Sequence, residues 1–154
     1  MNFIDIANLR WSNIDNNRLY YTRSKTKKDI FNIPLKENTL KILNFYKQFR
    51  TTENDYIFPI LFERHNTASK KHNRIKKILK QMNSDIKKIA AQNDIKTNLS
   101  SYVARHTFAT VLKKSNVSTA IISDLMRHES ESQTSTYLDE FDNIILENAT
   151  DNLI

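Results

Sequence analysis

The segment SSYVARHTFATVL sets Arg105 and His106 into an otherwise small and apolar helix. A guanidinium is costly to bury without a partner. Its rigid fork of donors suits an anion with two oxygens to offer, so the partner is either a carboxylate of the same chain or an anion that arrives from outside. On a helical wheel Ala104, Phe108, Val111 and Leu112 form the expected buried stripe, with Arg105 roughly 70° from its centre. At that border a stem packs while its head still emerges, which is where an anion-gripping arginine belongs. His106 points away from the stripe and reads as a local structural residue.

Two further residues could join this chemistry. In LMRHES, His128 lies seven residues after Ile121 and three after Leu125, so it is expected on the core side of its helix. Taken alone it reads as a core histidine satisfied by a backbone carbonyl. Tyr137 in TSTYL follows nine residues later, and beside Leu138 and Phe141 a lone tyrosine reads as packing. Lys25, in RSKTKK, has Lys27 and Lys28 as neighbours, and such a tip is ordinarily just solvated.

The elements that must position these residues are mostly helices. Phe3 to Leu9 looks like helix, followed by a connector from Trp11 to Asp15. Arg18 to Arg23 and Asp29 to Pro34 alternate apolar and polar residues as the strands of a hairpin, with Ser24 to Lys28 at its tip. Lys36 to Phe49 carries Leu40, Leu43 and Tyr46 at helical spacing. His72 to Ala91 is the clearest helix, with Ile75, Leu79, Met82, Ile86 and Ala90 in one stripe. Ser100 or Ser101 can cap a helix ending at Lys114. Another helix begins at Ser118 with Ile121 and Leu125 inward, and short helices are expected at Thr134 to Leu138 and Asn143 to Asn148. The fold class is therefore mainly α with a small antiparallel β-sheet (α+β), and the 154 residues read as one domain.

Composition excludes several functions. The chain has no cysteine, which removes disulfides and thiolate chemistry. Its four histidines lack metal-ligand spacing, so no metal is expected. Glycine is absent, which rules out glycine-rich phosphate loops and nucleotide binding of that kind. The apolar run from Tyr56 to Phe62, broken by Pro59, is too short for a membrane span; with no leader in view, a cytoplasmic location is expected. All 24 lysines and arginines precede Glu129, whereas seven of the 17 acidic residues follow from there. A basic body with an acidic tail fits either a polyanion-binding surface or ordinary solvation.

Read together, ARHTFAT, LMRHES and TSTYL resemble the catalytic domain of the tyrosine recombinase (phage integrase) family. The likeness extends upstream, where FIDIANLRWSNID is similar to that family's opening helix, RSKTKK to its lysine-bearing hairpin and YIFP to a connector before the middle helices. The nearest flavour is the integrases of Bacteroides-group mobile elements. The resemblance implies the family's catalytic-domain fold and a cofactor-free, metal-free phosphoryl transfer on double-stranded DNA. In it Tyr137 attacks a phosphodiester, Arg105 grips non-bridging oxygens, His128 serves the same phosphate and Lys25 protonates the departing 5′-oxygen. Arg74, Lys77 and Lys80 on the basic helix are expected on the DNA backbone, and the apolar residues of the acidic tail in self-association on DNA. Three positions depart from the family: Asn2 stands where its first arginine is expected, Tyr102 replaces a histidine or lysine while keeping a hydroxyl for a phosphate, and Arg127 replaces a glycine. The family's N-terminal DNA-clamping domain has no counterpart, so the chain is expected to be a truncated catalytic domain that recombines little by itself. The alternatives are a degenerate recombinase domain, or a helix-turn-helix module with its recognition helix opening at Ser130 to Thr136. The acidity after His128 counts against the helix-turn-helix.

Overall fold

A chain without glycine must turn on other residues, and among the described residues four asparagines and aspartates do so in the left-handed region: Asn16 (φ 47°), Asn17 (57°), Asp94 (55°) and Asn116 (58°). Their short polar side chains make that region accessible at modest cost. The computed structural model describes residues 1–24, 30–52, 55–126, 130–132, 134–136 and 138. These group into two compact units, Met1–Thr97 and Asn98–Ile154. The fold is mainly helical with one three-stranded antiparallel sheet.

In the first unit, α1 (Phe3–Ala7) leads through a 3₁₀ turn (Trp11–Asn13) into β1 (Ile14–Asp15). This short strand lies where the sequence reads as connector. The Asn16–Asn17 turn gives it a partner, since two consecutive left-handed residues match the twist of a tight hairpin. β2 (Arg18–Thr22) pairs with β1 and with β3 (Ile30–Pro34), placing Tyr21 opposite Phe31. Their rings stack at 4.6 Å. Alternation along β2 buries Leu19 and Tyr21 against Leu9, Trp11, Ile57 and Leu43, the last from α2 (Glu37–Lys47).

The 25-residue α3 (Ala68–Gln92) starts a turn earlier than His72 because Thr67 caps it, its hydroxyl accepting from the Lys70 amide at 3.2 Å. The expected stripe is borne out: Ile75 and Ala90 are buried and Leu79, Met82 and Ile86 half-buried. Ile75 packs with Ala7 and Leu61, joining α3 to α1. The helix closes on Asp94, with the Ile95 amide reaching back to the Ala90 carbonyl, as glycine-ended helices do.

YIFP is held against the 3₁₀ turn. The Trp11 amide donates to the Asp55 carbonyl, the Ile57 amide to that of Leu9, and the Arg10 guanidinium lies 4.1 Å from the Tyr56 ring centre. The Asp55 carboxylate in turn accepts from the amides and hydroxyls of Thr51 and Thr52, at 2.6–2.8 Å. Those four donors, the Thr52 amide foremost, hold its pKa far below the usual carboxylate range. Since folding lowers this pKa, the stability it contributes is complete above about pH 4 and is lost as the pH falls below that. Asp55→Ala should therefore melt below wild type at pH 7, with the gap narrowing in acid. A gap that stays constant down to pH 2.5 in thermal melts followed by circular dichroism would contradict this.

The second unit contains α4 (Ser101–Lys114), α5 (Thr119–Met126) and further helical residues at 131–132, 134–136 and 138. Asn116 closes α4, with the Val117 amide donating to the Leu112 carbonyl at 3.1 Å. The expected helix at Asn143 to Asn148 and the rest of the acidic tail after Leu138 lie outside the described residues.

Here the structure corrects the expected buried faces. The core is Ala109, Ile122, Met126 and Leu138, with Leu112 and Val117 packed on it. Ala104, Phe108 and Val111 are exposed, and on α5 Ile121 and Leu125 point outward while Ile122, Ser123 and Met126 are inward. A wheel weighted by side-chain size turns the largest residues inward. Close approach of two helices instead selects the small one, Ala109.

Candidate active site

Rotating α4 by this amount changes where Arg105 sits. It lies one turn before Ala109, so it shares the buried face instead of bordering it, and it is half-buried. Its Nη2 donates to the Met126 carbonyl at 2.8 Å. That carbonyl belongs to the last turn of α5, where backbone oxygens have no intrahelical partner. Arg105 therefore caps a neighbouring helix, and the bond fixes the plane of its guanidinium. His106 is half-buried too, not turned directly away from the core, and the Tyr102 ring meets it edge-on at 4.4 Å. Tyr102 is itself exposed, one turn from His106 on the same helix.

Lys25, His128 and Tyr137 lie outside the described residues, whereas Ser24, Met126, Ser130, Thr134 and Leu138 are described. Met126, two residues before His128, is in the core and holds Arg105. Ser130, two residues after it, accepts from the Ser123 hydroxyl at 3.4 Å. On either side of Tyr137, Thr134 is 0% and Leu138 3% exposed. One small core, centred on Ala109 and Ile122, thus anchors Arg105 and the chain flanking both other residues. Ser130 bonds to α5, and Leu138 packs in the same core as Ala109 of α4.

In the first unit, Lys77 and Lys80 are exposed on α3 as a DNA-contacting role requires, but Arg74 is half-buried and its Nε donates to the Ile60 carbonyl at 3.0 Å. Asn2, in the place expected for an arginine, is the N-cap of α1, and its carbonyl accepts from the amides of Asp5 and Ile6.

One residue of interest was not singled out by pattern. Asp5 is 4% exposed, and its Oδ1 accepts from the Ser24 amide at 2.8 Å. A buried carboxylate on a five-residue helix thereby holds the backbone that immediately precedes Lys25. The available signal was an acid between two isoleucines in FIDIA, where a surface helix would place it on a polar face. Asp5→Ala should cost about 1 kcal/mol by leaving the half-buried Ser24 amide without this partner, read from the denaturant midpoint. Asp5→Asn keeps an oxygen acceptor and should cost less; equal losses in both variants would mean that the charge, not the Ser24 bond, is what matters.

Among the described residues no helix is long and apolar enough to cross a membrane. No curated protein matches the sequence. Among solved structures, the crystal structure of XerA recombinase aligns with a TM-score of 0.63 at 20% identity, covering 97% of this chain and 52% of the other. That likeness establishes the fold, and this chain spans about half the length of that recombinase. The model of the phage integrase family matches residues 3–143, from the first residue of α1 past the tyrosine segment. By that match, which spans most of the chain and takes in Arg105, the chain belongs to the phage integrase family.

Proposed function

We propose that the chain is the catalytic half of a tyrosine-type site-specific DNA recombinase. The Tyr137 phenolic oxygen attacks a DNA phosphorus, forming a 3′-phosphotyrosyl ester as the bond to the 5′-oxygen breaks. The phenol's proton passes to His128 or to water, and Lys25 protonates the departing 5′-oxygen. Arg105 offers paired donors to the non-bridging oxygens, whose charge grows in the transition state. Tyr102 contributes a hydroxyl to the same phosphate. The phosphodiester's bond energy is retained in the new ester, so religation needs no cofactor. What supports this reading is the Arg105–Met126 bond, made on the core of Ala109, Ile122, Met126 and Leu138, together with the family match.

The finer points follow from the same reading. Lys77 and Lys80 engage the DNA backbone without reading sequence. The tail residues Ile144, Ile145, Leu146, Leu153 and Ile154 dock on a second copy during assembly on DNA, or on their own copy. The departure at Asn2 is in keeping with an integrase of a Bacteroides-group mobile element, acting in the cytoplasm. Asn2 also favours the second reading, a degenerate domain that binds DNA without cutting it.

A nicked suicide substrate distinguishes the two. Cleavage releases a short strand whose 5′-hydroxyl diffuses away, so the ester cannot be resealed. The longest form of the protein carrying these residues should yield a denaturant-stable protein–DNA adduct. Salt-sensitive binding with no adduct would leave the degenerate reading in its place.

A further inference from the structure

At the entrance to α3, two guanidinium groups surround one exposed ring. Phe62 is 40% exposed, with Arg64 Cζ 5.0 Å and Arg74 Cζ 5.9 Å from its centroid. The His65 ring is 5.8 Å away. The arrangement is fixed by the backbone. The Phe62 amide donates to His65 Nδ1 at 3.0 Å, the His65 amide donates to the Phe62 carbonyl at 2.8 Å, and Ile60 holds Arg74 by its Nε. With Nδ1 accepting, the neutral imidazole carries its proton on Nε2 and is a donor there.

Two like charges on one ring repel, and among the described residues no carboxylate lies within ion-pair reach of either. The nearby Glu63 is 3.9 Å from Arg10. A guanidinium held near a ring by cation–π attraction keeps N–H groups available, so it can still grip an anion. Arg74 keeps both Nη groups for this purpose. Lys70 and Lys71 in the first turn of α3 add positive charge.

The geometry points to a DNA-phosphate clamp formed by Phe62, Arg64, His65 and Arg74, engaging a phosphate other than the one cleaved. This rests on the reading that the chain binds duplex DNA; of the four residues only Arg74 was expected on the DNA backbone from the sequence, and Phe62, Arg64 and His65 are added by the geometry. Phe62 acts by orienting the arginines. Arg74→Ala would also break the Ile60 bond, so Arg64 and Phe62 are the informative positions.

Binding of a fluorescent duplex to the 154-residue chain, titrated from low to moderate salt, tests it. Arg64→Ala should weaken binding about tenfold and reduce the slope of log affinity against log salt by about one. Arg64→Lys should recover the slope but not the affinity, and Phe62→Leu should weaken binding while leaving the slope unchanged. Wild-type affinity and slope in Arg64→Ala would overturn the clamp while leaving the recombinase reading intact. Binding that depends on Arg64, with no Tyr137 adduct even in the longest form of the protein, would overturn the cleavage chemistry and support the clamp. A wild-type chain that binds no duplex even at low salt would overturn both.

Discussion

Tyr137→Phe should abolish the covalent adduct, to below about 10⁻³ of wild type, while duplex affinity stays within about twofold. The substitution removes one oxygen and nothing that packs. Thr134, three residues before, and Leu138, the next residue, are buried, and Leu138 packs against Ala109, Ile122 and Met126. Folding should therefore be unchanged and the effect confined to chemistry. A phenol with a pKa near 10 is a poor nucleophile until a neighbour takes its proton, so the wild-type adduct should rise with pH and the variant should show none at any pH. The measurement has a built-in rival. The second unit holds one other tyrosine, Tyr102, exposed and three residues before Arg105 on α4. An adduct that survives in Tyr137→Phe and disappears in Tyr102→Phe would transfer the nucleophile to α4.

The elements were legible wherever local pattern decides them. The β2–β3 hairpin, the α2 stripe at Leu43 and the long α3 stripe all came from periodicity, because each packs one continuous face. β1 was not legible, since two residues carry no period and its pairing depends on the left-handed Asn16–Asn17 turn. The buried faces of α4 and α5 were misread for a different reason. Hydrophobic size predicts which residues avoid water, but the line of closest helix contact follows small residues, and Ala109 outranked Phe108 and Val111. That rotation also moved Arg105 inward and gave it a backbone carbonyl, a partner neither of the two sequence-based options included. The order of ARHTFAT, LMRHES and TSTYL identified the family without any of this geometry. Asp5 and the Phe62 cluster needed coordinates, because both depend on contacts between residues 12 or more positions apart.

Arg105→Lys separates the two jobs that this side chain holds. As a helix cap, the guanidinium contributes one hydrogen bond to the Met126 carbonyl, worth about 1 kcal/mol. A lysine ammonium can make a similar bond, so the melting temperature should fall only slightly. As an anion grip, the guanidinium offers parallel donors in a fixed plane, and a single ammonium on a flexible stem cannot reproduce both. Adduct formation should therefore fall about 10²–10³-fold, of the order seen when one transition-state donor is removed. Arg105→Ala should lose both functions, with the Met126 carbonyl left unpaired near the core and cleavage reduced further. The ratio between the variants is the informative quantity. If Arg105 only caps α5, then at a temperature where both variants are fully folded Arg105→Lys should cleave at close to the wild-type rate, and activity should track melting temperature. If it grips phosphate, the lysine variant stays folded and remains slow at every temperature, and its deficit persists at saturating DNA because the lost interaction belongs to the transition state.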